Sequence, residues 1–95
     1  MSEREHYVEM AKARLDQWNA EIDKLQAKAN EAEAAAKIEY KKQLAEMRAQ
    51  RDKAEQQMKE MQEASNKAWT DMKSGFDNAW DSIAESFDRA MSRFK

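Results

Sequence analysis

Beginning at Val8, apolar residues recur at alternating steps of three and four: Val8, Ala11, Leu15, Trp18, Ile22, Leu25, Ala29, Ala32 and Ala36. Val8, Leu15, Ile22, Ala29 and Ala36 fill one seam position, and Ala11, Trp18, Leu25 and Ala32 fill the other. A mean spacing of about 3.5 residues keeps such a stripe facing a partner when the helices supercoil left-handedly. The pattern therefore predicts a coiled-coil helix with these residues as an oligomer interface. Ser2 followed by Glu5 has capping-box spacing and places the start of that helix. The steps change to four and four at Ala36, Tyr40 and Leu44, as if one residue were inserted, and then resume as Leu44, Met47, Arg51, Ala54, Met58, Met61, Ser65, Ala68 and Met72. No Gly, Pro or Asn-Gly marks the slip, so local unwinding of one continuous helix is expected there rather than a turn. The second series is Met-rich and specifies a single partner less sharply than the first.

The end of the chain repeats every eleven residues: AWTDMKSGFDN, AWDSIAESFDR, then AMSRFK. On a helix this period gathers Trp69, Met72, Phe76, Trp80, Ile83, Phe87, Met91 and Phe94 on one face, because eleven residues close about three turns. The opposite face carries Ser, Thr, Asn, Asp and Glu. Ser74, Gly75 and Asp77 give an N-cap spacing beside the only glycine, which predicts a hinge over residues 73–75 at Ser74 and Gly75. The expected architecture is thus all-α. A long helix with a heptad seam occupies residues 1–73, about 105 Å if straight, and a short amphipathic helix carrying most of the eleven-residue repeat occupies residues 74–95.

Composition supports helix. Ala, Glu, Lys, Leu and Arg make up 49 of the 95 residues, with no Pro and one Gly, which is the share found in coiled coils. Leu, Ile, Val and Phe number only ten, too few for a conventional core, so association rather than a compact monomer is expected. The 17 basic and 19 acidic residues are interleaved, leaving no single-sign field to attract nucleic acid. Without Cys there is no disulfide, thiolate nucleophile or thiolate metal site, and a cytoplasmic setting is the default expectation. No apolar run has the length of a signal peptide or a membrane span.

Little catalytic chemistry is legible. His6 is the only histidine, with no second ligand type to complete a metal site, and reads as a solvated surface residue. Neither a phosphate loop nor a nucleophile–base set occurs. No cofactor, metal or enzymatic activity is expected. Trp18 reads as a seam residue that anchors register. The Trp and Phe stripe near the C-terminus reads first as core, and second as a face for a partner helix or a membrane surface. Residues 66–95 balance five basic with five acidic side chains, so anionic lipid would exert no net pull.

The run LDQWNAEIDKLQAKA, the central AKIEYKKQL and the Trp repeat ending in RFK resemble short bacterial coiled-coil-domain proteins, some assigned to stress responses. That resemblance spans nearly the whole chain and implies a stress-linked, non-catalytic scaffold, with no catalytic residue to carry across, while the Val8 to Ala36 seam is what predicts a homodimer or higher assembly. The eleven-residue unit is also similar to those of apolipoprotein-type and desiccation-protection helices, over about 28 residues. From this comes the competing expectation of a peripheral lipid-binding protein.

Overall fold

In the computed structural model, which describes residues 3–94, the chain turns back on itself twice. Its helices are α1 (Glu3–Glu31), α2 (Ala34–Glu63) and α3 (Asn66–Ser92). The all-α expectation holds, but three helices of similar length replace one long helix followed by a short one. They lie side by side, up-down-up, in a bundle of 52 × 19 × 17 Å. The Ser2 cap lies outside the described residues.

The turns fall at residues 32–33 and 64–65. At the first, Glu33 leaves the helical region through ψ alone, with φ −67° and ψ 159°, and its side chain makes no capping hydrogen bond. At the second, Ala64 and Ser65 are both extended, and the Ser65 hydroxyl accepts from the Ala68 N–H at 3.1 Å as an N-cap. The register slip now has its physical meaning. The α1 stripe and the α2 stripe are two separate seams, and the slip lies just beyond the turn that separates them.

The hinge at Ser74 and Gly75 is corrected. Both residues sit inside α3, and Gly75 does not have positive φ. Ser65, read as a seam residue, is instead the cap that starts α3. Neighbours decide this, because a glycine on a packed amphipathic helix is held helical by the burial of the residues around it.

The core forms where the stripes converge. Leu15, Trp18, Ile22, Leu25 and Ala29 of α1 meet Leu44, Met47 and Ala54 of α2 and Ile83, Phe87 and Ala90 of α3, with Phe94 just beyond that helix. A second cluster joins Met61, Trp69 and Phe76, with Tyr7 and Val8 packed against it. All of the ten aliphatic and Phe residues but the exposed Ile38 are buried or half-buried, and Trp, Met and Ala supply the remaining volume, which corrects the expectation against a compact single chain. Gln43 is the exception to an apolar interior. It is 1 % exposed, its amide donates to the Glu39 carboxylate at 2.9 Å, and its Oε1 has no partner.

Two stability predictions follow from these positions. A Cβ at Gly75 would meet nothing within 4 Å, so Gly75→Ala should stabilise the fold by about 0.5–1 kcal/mol, read as a higher Tm. Gln43→Met removes an unpartnered buried oxygen at similar length and should add about 1–2 kcal/mol. A lower Tm for Gln43→Met would show that Oε1 is satisfied in solution.

Candidate functional site

The residues expected to meet a partner are mostly occupied within the chain. Of the α1 seam, Ala11, Leu15, Trp18, Ile22, Leu25 and Ala29 are buried. Val8 is half-buried, Ala32 lies in the first turn, and Ala36 falls on α2, also half-buried. Of the α3 face, Trp69, Phe76, Ile83 and Phe87 are buried, as is Phe94, while Trp80 and Met91 pack half-buried against the core. Met72 is 42 % exposed. The eleven-residue alignment set it beside Ile83, yet the buried face follows seven-residue spacing through Trp69, Phe76, Ile83, Phe87, Ala90 and Phe94. A helix packed against near-parallel neighbours keeps its a and d positions inside, and Met72 falls off that stripe.

Ring pairs tie α3 to the other helices. Trp18 stacks on Trp80 at 5.6 Å between centroids and on Phe87 at 4.9 Å. Tyr7 meets Trp69 edge-on at 5.1 Å, and Tyr40 stacks on Phe94 at 4.8 Å. Each pair adds roughly 0.5–1.5 kcal/mol beyond the area it buries.

Between α1 and α3 these rings leave an open cleft of about 350 Å³. Its floor is Ala11, Met61, Phe76 and Trp80. His6 and Arg14 line it from α1, Asp77 and Asp81 from α3, and the half-exposed Met10 stands at its rim. Tyr7 donates to the Asp77 carboxylate at 3.3 Å. Burial pushes the Tyr7 hydroxyl above its ordinary value of 10.0, and the Asp77 carboxylate adds to the shift, so the phenol stays protonated. Lys73, ion-paired with Glu3, is raised by that carboxylate and sits 5.9 Å from the Tyr7 ring centroid. The arrangement can clamp α1 on α3 and accept a side chain at the rim. Among the described residues no group of His, Asp and Glu is arranged to hold a metal ion, and no helix is long and apolar enough to cross a membrane.

Sequence reasoning missed the cleft because Tyr7 and Asp77 lie seventy positions apart. Only the fold brings them together.

Compared with protein-family models, with curated proteins and with solved structures, the chain matches none.

The Tyr7 shift carries a pH dependence. A folded-state value above the unfolded one gives stability that is fully present below about pH 10 and is lost as pH rises through the folded value. Melts across that alkaline range should fall more steeply for the native chain than for Tyr7→Phe, and equal slopes would remove Tyr7 from the account.

Proposed function

We propose that this protein is a non-catalytic helical assembly module that associates with further copies of itself to act as a scaffold. The observation that carries the reading is the α1 seam. From Ala11 through Leu15, Trp18, Ile22 and Leu25 to Ala29, its uninterrupted stripe is packed on α2 and α3 within the chain, and association would repeat those same helix–helix contacts with a second copy. The charged side chains lie outside the buried core, where they form pairs such as Arg89 with Glu85 at 3.3 Å. Surface pairs of this kind contribute little to stability, so the chemistry of the molecule resides in its helix–helix contacts. A stress-linked setting is suggested by the resemblance to coiled-coil stress proteins.

Adsorption to lipid through α3 is the competing reading, and its face is already covered. Reaching a bilayer would require Trp69, Phe76, Ile83 and Phe87 to leave their contacts with α1 and α2 with nothing in the chain to take their place, whereas a second copy would supply the same contacts again.

Sedimentation equilibrium tests the proposal. Mass should rise from the chain's 11.1 kDa towards twice that value with concentration, while Trp emission should stay blue-shifted and indifferent to neutral or anionic liposomes. A strictly monomeric chain whose emission shifts on liposomes would replace self-assembly with lipid binding.

A further inference from the structure

Consider what holds the first turn closed. Residues 27–36 read AKANEAEAAA, with six alanines and no Gly or Pro, and Ala is the strongest helix former. Among the described residues no backbone has positive φ. Glu33 already has helical φ, and ψ 159° is its departure from helix. Its carbonyl accepts from the Lys37 N–H at 2.7 Å, a bond that a continuous helix would retain. The turn's own backbone bond is Ala32 N–H to Ala29 O at 3.2 Å. Straightening at Glu33 would give partners to the orphan carbonyls at the end of α1 and the orphan N–H groups at the start of α2.

The second turn differs. Ser65 caps α3 there with its side chain, which Glu33 does not do at the first turn, and the Arg4 guanidinium donates to the Ala64 carbonyl from α1. It is fastened from both sides, so the two turns are not equivalent.

The apolar spacing also runs through the first turn. Ala29, Ala32 and Ala36 continue the three–four steps of Ile22 and Leu25 as far as the slip that begins at Ala36, so a fused α1–α2 helix would carry the α1 stripe across the turn, with its smallest residues at the midpoint. Two such helices crossing antiparallel at that midpoint can approach closely. α1 of each copy would then meet α2 and α3 of the other in the arrangement it now has within one chain.

We infer that the protein forms a domain-swapped homodimer in which Glu33 straightens, α1 and α2 fuse into one helix, and α1 is exchanged between two copies. The inference rests on the self-assembly reading and names its mode. The interface is the α1 surface already described, including Trp18 between Trp80 and Phe87, and the partner is a second copy of this chain. The fused helix over residues 3–63 would be about 90 Å long at 1.5 Å per residue, against 52 Å for the folded-back bundle.

The experiment combines shape, connectivity and a hinge lock. Arg51 donates to Asn19 across α1 and α2 at 3.2 Å, so the full chain carrying Asn19→Cys and Arg51→Cys can be bridged by a short bismaleimide, with no native Cys to compete. After refolding at high concentration, the swap predicts a dimer by light scattering. Its maximum dimension by small-angle scattering should be near 90 Å or above, and the crosslink should join two chains on a denaturing gel. Ala34→Pro supplies the lock. Proline suits the first position of α2 and the extended Glu33 before it, but not the interior of a fused helix. This variant should keep its helical circular dichroism and lose the dimer by at least about tenfold. A dimer near 52 Å long whose crosslinks stay within one chain would overturn the swap and leave self-assembly standing, as would a long dimer that persists in Ala34→Pro overturn the hinge at Glu33. A chain that remains monomeric after concentrated refolding would overturn self-assembly itself.

Discussion

The stacking of Trp18 between Trp80 and Phe87 is the contact on which the bundle depends. All eight aromatic residues take part in ring pairs, and most of those pairs join α3 to another helix. A chain with ten Leu, Ile, Val and Phe residues cannot close an interior on aliphatic area alone. Trp and Tyr supply large area with few rotatable bonds to order. Trp18 also fixes axial register, since sliding α1 by one turn, about 5.4 Å, would remove its ring from both partners. The Tyr7–Trp69 and Tyr40–Phe94 contacts at the two ends then fall into place, and the Ala positions let the helices come close enough for the rings to meet.

Much of this was written in the spacing of residues. The α1 seam was legible because heptad periodicity and burial coincide over a long run, and the aromatic face of α3 because large side chains fall repeatedly on one side. The turns were not. Residues 32–33 are Ala-Glu inside an Ala-rich stretch, and no local preference marks them as a break. The chain reverses there because a folded-back α2 buries Leu44 and Met47, a long-range gain that no local window contains. Gly75 misled for the complementary reason. Its intrinsic penalty is about 1 kcal/mol, less than the burial of Phe76 beside it. A readable signal lay at Ser65-Asn66, two residue types that favour N-caps, and it was absorbed into the Met-rich stripe because heptad spacing happened to pass through it.

The cleft shows a different limit. Tyr7, Asp77 and Trp80 belong to helices joined only through α2, so their proximity depends on both turns and on the Trp18 register. Single-sequence patterns show that each residue is near a seam; they do not show which seam meets which. Asp77 looked like part of a cap, and is instead the acceptor that holds the Tyr7 hydroxyl at the junction of α1 and α3. The Met72 position carries the same lesson within one helix. An eleven-residue repeat and a seven-residue repeat agree over a short span and part at Met72, and packing follows the shorter period.

The proposed exchange would differ from the folded bundle at the first turn, residues 32–33, whereas the single helix suggested by the spacing over residues 1–73 would differ at residues 64–65 as well. In the proposed swapped dimer the same side chains would be buried against the same partners, so hydrophobic burial would nearly cancel from the difference between the two forms. What remains would be local: the backbone of residues 32–33, the orphan backbone groups at the ends of α1 and α2, and the entropy of joining two chains. A very short connection gives α1 an effective concentration in the millimolar range or above towards its own α2 and α3, which favours closure in dilute solution. Fusing the helices returns backbone hydrogen bonds and favours the open form, and its weight grows with protein concentration. A turn built from alanine and glutamate adds no local preference of its own to this balance, whereas Gly or Pro at residues 32–33 would favour the turn.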